Sequence, residues 1–419
     1  MNRLSEFLPN RADYKGASAH WRKDLLAGIT VGIVALPLAL AFGITTGAGA
    51  AAGLITAILA GFLAAIFGGS NFQVSGPTGA MTVILVPIVT KYGIDSLIPL
   101  GFFAGLLTLV LGICRAGSII NRVPWPVMEG FTLGIAIVIA LQQIPTALAT
   151  PSISGNRTVI TAWNTTKSAV DHGLNYRAIF IVLLTMIVKF VYPKLAHRLK
   201  IHIPASFMAI IVSSIVVIAF GVDIPTVGDM PASIFHFHKF EFFGLGGYEL
   251  VSAVIAISLL ASIESLLSAR VGDQLAHIHD DELKYKPNRE LFGQGLASMF
   301  SSLAGGMPAT GAIARTGVNI RSGANSRLSA IFHALFLLAV VLVLSPIISK
   351  IPTAALAGVL IGTSYRMVSP ANLRELLRTT RLDSTILLTT ALLVIFVDLI
   401  WGIALGTLLY FVLRKLKRK

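Results

Sequence analysis

The stretch Phe72-Gln73-Val74-Ser75-Gly76-Pro77-Thr78-Gly79-Ala80 decides how the rest of this chain is read. Its glycine and proline resist helix in the middle of an apolar region, and Pro77 then suits the first turn of a new helix. Thr310-Gly311-Ala312 repeats Thr78-Gly79-Ala80 at an offset of 232, again behind a break, Gly305-Gly306-Met307-Pro308. A second match at an offset of 228 joins Val123-Pro124, Gly130 and Gly134 to Ile351-Pro352, Gly358 and Gly362. The bland alternative, kinks in two long helices, leaves the recurrence of Thr-Gly-Ala unexplained.

The surroundings of these breaks set the solvent. Of 419 residues, 55% are hydrophobic and 12% charged, about half the charged fraction of a soluble domain. A water-soluble globule and a disordered chain are both excluded. The net charge of +14 could suggest nucleic acid, but its basic residues lie between apolar runs rather than on one soluble face. Apolar runs long enough for a bilayer, with shorter ones at the breaks, give about fourteen segments. They lie near 25–46, 52–68, 74–90, 97–114, 126–143, 177–193 and 203–220, then 250–268, 289–304, 309–320, 328–346, 354–368, 383–397 and 398–413. Residues 1–24 read as an N-terminal segment, 221–249 as an outer loop and 414–419 as a basic tail. Residues 25–220 and 250–413 form the two halves.

Lysine and arginine fix the orientation. With the amino terminus in the cytoplasm, 25 of 33 basic residues fall on that side, among them Arg115, Lys194, Arg270, Arg289, Arg327 and Arg366. Six fall outside: Lys91, Arg157, Lys167, Arg177, Lys239 and Lys350. Both termini are therefore expected in the cytoplasm of a cell-membrane protein. Lys189 lies within a span near its cytoplasmic end, from which it can snorkel to the interface. Cys114 reads as a small buried residue, His333 as a satisfied core histidine, and Gln142 and Gln143 as interfacial. Sequons at Asn156 and Asn164 lie in the outer loop Ile144–Tyr176, where such short patterns often arise by chance.

The matched breaks fall in spans 3 and 10, and an offset of seven spans reverses direction across the membrane. The fold class is thus an all-α polytopic membrane protein whose halves form a 7+7 inverted repeat, a plan typical of secondary transporters. Half-helices would begin at both breaks, and their amino termini carry unpaired N–H groups and roughly half a positive charge each, which suits an anion. Two further charges lie inside the bilayer. Glu264, in Ser262-Ile263-Glu264-Ser265-Leu266, must face a wet cavity, pair with a cation or be protonated. Arg315, one turn into span 10, is the nearest candidate cation, either as Glu264's partner or as a substrate contact. No Cys/His cluster, HExxH pair, GxSxG elbow or phosphate-binding loop is present, so no metal, cofactor or enzymatic activity is expected.

Together, Ala35-Leu36-Pro37-Leu38-Ala39-Leu40-Ala41-Phe42-Gly43, Gly76-Pro77-Thr78-Gly79 and Ile263-Glu264-Ser265-Leu266-Leu267 resemble the sulfate permease (SulP) family of anion transporters. Asn288-Arg289-Glu290-Leu291, Gly293-Gln294-Gly295 and Gly311-Ala312-Ile313-Ala314-Arg315-Thr316 extend the likeness over almost the whole chain. The resemblance implies a mobile core (spans 1–4 and 8–11), a gate (spans 5–7 and 12–14), elevator-like transport and, often, a homodimer. It also implies a cytosolic STAS domain after the last span, which these 419 residues do not include. Span 1 is similar to that of sodium–bicarbonate symporters in the family. Glu264 in place of their aspartate, and Arg315 where they lack a basic residue, favour proton over sodium coupling. The expected substrate is sulfate, bicarbonate or a C4-dicarboxylate. The N–H groups near Thr78, Gly79 and Ala80 and near Gly311, Ala312 and Ile313 would cradle it, with the Thr78 hydroxyl donating. Phe42 would line the pocket, Arg315 add charge, Glu264 carry the proton and Ser268 support it. An anion channel or exchanger of the same fold is the rival.

Overall fold

The computed structural model describes residues 5–14, 17–120, 123–153, 155, 157–199, 203–228, 247–278, 280, 284–368 and 381–416. Most of the outer loop 221–249, the sequon at Asn156 and the tail residues Lys417, Arg418 and Lys419 lie outside them, as do Lys200, Lys239 and Arg374.

Every expected apolar segment coincides with a helix. These are α1 (Ala17–Thr45), α2 (Gly49–Phe67), α3 (Gly79–Tyr92), α4 (Leu97–Ile113), α5 (Trp125–Gln142), α6 (Tyr176–Leu199) and α7 (Ala205–Ala219). After them come α8 (Gly247–Leu275), α9 (Pro287–Leu303), α10 (Ile313–Arg321), α11 (Leu328–Ile348), α12 (Thr353–Met367), α13 (Arg381–Phe396) and α14 (Leu399–Leu416). Among the described residues, seven helices are long and apolar enough to cross a membrane. The loop after α5 carries two more, Ile144–Leu148 and Thr158–His172.

The all-α reading needs one amendment. The two breaks are extended and pair as antiparallel strands, β1 (Ser75–Gly76) and β2 (Thr310–Gly311), with Ser75 opposite Gly311 and Gly76 opposite Thr310. Backbone groups inside a membrane protein have no water to bind, so two extended pieces must satisfy each other. The Ala312 N–H continues the pairing to the Val74 carbonyl at 3.0 Å.

The chain divides into two compact units, residues 1–121 with 227–350 and residues 122–226 with 351–419. In the first, helices approach through small residues, as membrane helices do in the absence of a hydrophobic drive between them. A methyl group on Gly53 of α2 would lie 1.9 Å from the Ala39 carbonyl oxygen of α1, and one on Gly293 of α9 would lie 2.4 Å from the Gly68 backbone nitrogen. A π-helical turn, Thr56–Ala60, interrupts α2. The N-terminal segment also folds onto this unit: Phe7 stacks near Phe292, with ring centroids 5.1 Å apart, and Asp13 binds Arg289 through two 2.7 Å hydrogen bonds. Arg289 and Arg327, expected on the cytoplasmic side, are buried, 3% and 2% exposed. Burial opposes the charge of Asp13, but bonds from Arg289 and the Asn10 backbone and the charges of Arg327 and Arg289 outweigh it, holding the carboxyl below its ordinary 3.8.

The second unit centres on Ala178, Ile181, Val182, Val217, Ile224, Ala354 and Ala355. Here Lys189 does not snorkel. It is 2% exposed, and its ammonium donates to the Val359 carbonyl at 2.6 Å and to the Thr363 hydroxyl at 2.5 Å, both on α12. Two acceptors on a facing helix outcompete a reach along α6 to the interface. Gln143 is likewise buried rather than interfacial, because the chain runs on into helix Ile144–Leu148. Cys114, read as buried, is exposed because it caps the end of α4.

Candidate functional site

The chemistry of the first unit gathers where the paired strands meet α8. Pro77 ends β1 and leads to Thr78, whose extended backbone (φ −128°, ψ 160°) makes it the N-cap of α3. Its hydroxyl accepts the Met81 N–H at 3.4 Å and donates to Glu264 Oε2 at 2.8 Å. Thr310, the counterpart of Thr78 in the repeat, donates to the same Oε2 at 2.8 Å and lies 3.1 Å from the Thr78 hydroxyl. One carboxylate oxygen of α8 thus collects a hydroxyl from each break. A half-buried carboxylate with two charge-assisted bonds is held in place without being sealed off.

The neighbouring side chains fix this arrangement. Ser265, next to Glu264, accepts the Gly311 N–H at 3.0 Å. One helical turn on, Ser268 shares a 3.1 Å hydrogen bond with Thr316, whose hydroxyl also receives the Val74 N–H. Ser268 therefore braces the strand crossing rather than touching Glu264. The buried Glu290 on α9 accepts the N–H groups of Gly69 and Ser70 at 2.9 and 3.1 Å. It also takes the side-chain amides of Gln73 and Gln294 at 2.6 and 2.9 Å, and Gln294 reaches Ser75 of β1. Ahead of the other strand, the Thr56 hydroxyl in the π-turn accepts the Met307 N–H at 2.7 Å. A π-turn placed there fits the tendency of such turns to sit at functional sites.

Several expected donors are already engaged. The Thr78 hydroxyl goes to Glu264, the Gly311 N–H to Ser265 and the Ala312 N–H to Val74, so none of the three is available to an anion. The first-turn N–H groups of α3 at Gly79 and Ala80 and of α10 at Ile313 have no acceptor within their own helices, as at any helix start. Ala312 caps α10 without a side-chain bond, and Ala314 in its first turn is exposed. Arg315 is 2% exposed, and its Nη2 donates to the Pro77 carbonyl at 2.7 Å. No direct ion pair joins it to Glu264 among the described residues. Its charge acts on Glu264 through space, without a direct contact. Phe42 is 7% exposed, placed by its position on α1.

Thr310, Ser265 and Gln73 are the residues that sequence reasoning passed over. For Thr310 the signal was present, since the repeat aligns it with Thr78. His333 is fully buried as expected, yet neither ring nitrogen has a hydrogen-bond partner among the described residues. Among the described residues, no group of three His, Cys, Asp or Glu side chains could hold a metal ion.

A family model described as the sulfate permease family matches residues 21–390. YvdB of Bacillus subtilis (strain 168), a protein named for sulfate transport, is 37% identical over 398 residues, covering 94% of this chain and 73% of that one. The bicarbonate transporter BicA of Picosynechococcus sp. is 30% identical over 402 residues, 92% of this chain and 68% of that one. The transmembrane domain of a cyanobacterial BicA superposes with a TM-score of 0.81 at 26% identity, covering 94% of this chain and 97% of that one.

Proposed function

The chain belongs to the sulfate permease family, and from that premise we propose that it is a proton-coupled secondary transporter of a small oxyanion or dicarboxylate. Its relatives are named transporters of sulfate and bicarbonate, so it is an anion transporter and not an enzyme. The observation that carries the coupling is the convergence of Thr78 and Thr310 on Glu264. Glu264, the titratable group in that cluster, is tied to both breaks, so taking up or losing its proton changes the bonding of both at once.

The anion lies against the free first-turn N–H groups at Gly79, Ala80 and Ile313. Phe42 lines the pocket, and Arg315 adds a fixed positive charge from behind Pro77. Spans 1–4 and 8–11 form a moving core and spans 5–7 and 12–14 a gate, arranged as a 7+7 inverted repeat. The core carries anion and proton together across the membrane in an elevator-like displacement. Both termini face the cytoplasm of the cell membrane, and the working unit is a homodimer. Bicarbonate transport, with sodium in place of the proton, is the second reading, favoured by the likeness to BicA.

The test is uptake into proteoliposomes of radiolabelled sulfate, bicarbonate and C4-dicarboxylates, with pH and sodium gradients applied separately. Glu264→Gln keeps the size and hydrogen-bonding capacity of the side chain but cannot release a proton. It is expected to retain anion exchange and lose pH-driven accumulation. Undiminished pH-driven accumulation in that variant would sink the assignment.

A further inference from the structure

The lead-in to the first break is held by two buried charges, and a residue of the N-terminal segment ties the elements that carry them. On one side stands Arg327, 2% exposed, at the start of α11. Its Nη1 donates to the Ala65, Ile66 and Gly68 carbonyls at 3.3, 3.1 and 3.3 Å, and its Nη2 to the Asn71 side-chain oxygen at 3.0 Å. Ala65 and Ile66 belong to the last turn of α2, where carbonyls lack partners within the helix and a cation is favoured. On the other side, Glu290 at the start of α9 takes the Gly69 and Ser70 N–H groups. Residues 68–71 therefore run between a cation that holds oxygens and an anion that holds N–H groups.

Asp13 completes the set. Its Oδ1 and Oδ2 receive Arg289 Nη1 and Nη2 at 2.7 Å each, and Oδ1 lies 3.5 Å from Arg327 Nη2. Arg289 precedes Glu290 on α9, so one carboxylate joins the start of α9 to the start of α11, the two elements that grip the lead-in. The Tyr14 ring covers the same Arg327 guanidinium, whose carbon lies 5.8 Å from the ring centroid. Two arginines face two carboxylates; without Asp13 they would outnumber Glu290 two to one in a buried place. A buried charge is tolerated when paired, and removing one partner strands the other. The segment is also fastened ahead of Asp13, where Phe7 packs on Phe292 of α9 and Glu6 accepts Arg115 at 2.9 Å.

We propose that Asp13 and Arg327 are positioning residues for the transport site, and that the N-terminal segment, residues 5–14, is the latch that sets how firmly the first break is held. The lead-in carries Gln73, whose amide also binds Glu290, and passes through β1 to Thr78. Loosening it lets β1 and the start of α3 shift relative to Glu264. The grip stands on these contacts; its consequence for the anion rests on the transport reading above.

Asp13→Ala combined with Arg289→Met separates positioning from packing. The double variant removes both halves of the buried 2.7 Å pair and keeps most of the stability, while Arg327 loses its carboxylate. Amide hydrogen exchange over residues 66–74, read by mass spectrometry, is expected to quicken about five-fold with α1 unchanged. Sulfate binding to the purified double variant is expected to weaken about five-fold, within the span imposed by residues that do not touch a ligand. Exchange over 66–74 equal to wild type overturns the latch, and sulfate affinity equal to wild type removes the positioning role. If the double variant does not purify, Phe7→Ala, which frees the segment without touching a charge, is read by the same two measurements against the same two outcomes. A wild type that binds none of the candidate anions defeats the transport reading instead, and the exchange rates then decide the latch.

Discussion

Thr310 provides the sharpest test of how the site works, because its hydroxyl can be removed without changing the shape of the side chain. Thr310→Val replaces Oγ1 with a methyl group and deletes one of the two 2.8 Å bonds to Glu264 Oε2. A hydrogen bond to a charged group contributes about 1.5–3 kcal/mol, and here the carboxylate is the charged partner. The bond to the neutral acid is roughly half as strong, so the loss falls mainly on the deprotonated state. Thr78 remains, so the lower half of the range applies: about 1.5–2 kcal/mol on the carboxylate against half of that on the acid, a net loss of about 0.75–1 kcal/mol, or about four- to five-fold. Anion exchange, which returns the carrier loaded, does not require proton release and should stay within a few-fold of wild type. Net pH-driven accumulation requires release on one side, so the ratio of accumulation to exchange should fall about four-fold. Thr310→Ser keeps the hydroxyl and should preserve the ratio. A Thr310→Val protein whose ratio matches wild type would refute the role given to this hydroxyl pair.

Three further outcomes follow from packing and charge elsewhere. Lys189→Met removes a buried ammonium that has no acidic partner among the described residues and substitutes an apolar chain of similar length; thermal inactivation in detergent should be unchanged or occur at higher temperature, and a clear loss of stability would give the charge a function. Asp13→Ala strands the buried Arg289 guanidinium and should destabilise by about 3–5 kcal/mol, with most of the loss recovered when Arg289→Met is added. Since the Asp13 carboxyl is held below 3.8 in the folded protein, its stabilisation is complete above that value and disappears as pH falls through the lowered one, so wild type and Asp13→Ala should converge only in strong acid. Gly53→Ala forces a methyl group to within 1.9 Å of a backbone oxygen on α1, and size-exclusion profiles should show aggregation or loss of expression, whereas a monodisperse variant would mean that the two helices can separate.

The helices were legible because hydrocarbon requires long apolar runs, and those runs carry through to α1–α14 with only shifted ends. The site was half legible. Repetition marked the two breaks and Thr78 within the first, and the scarcity of charge marked Glu264 and Arg315. What could not be read was where each donor points. The Gly311 and Ala312 N–H groups look free in sequence because nothing in a string of residues says that Ser265 and Val74 lie opposite them. Lys189 and Gln143 failed for a related reason. A polar residue near the end of an apolar run meets water unless another helix supplies acceptors first, and only the packing of α6 on α12 decides that for Lys189.

The engaged donors also bear on what the site can discriminate. Each break gives its threonine hydroxyl to Glu264, so the side-chain chemistry at the crossing is directed at the proposed coupling residue, and an anion bound as proposed would be left with backbone N–H groups and a charge set one residue back. Backbone donors at helix starts recognise negative charge and size with little regard for the rest of the molecule. A site of this kind should therefore separate anions by charge and radius more sharply than by identity. Competition measured across selenate, sulfate, thiosulfate and succinate should then rank by size at fixed charge. A strong preference between selenate and sulfate, which share charge and shape, would require a side-chain contact with the anion and would return the Thr78 hydroxyl to the role from which the geometry has removed it.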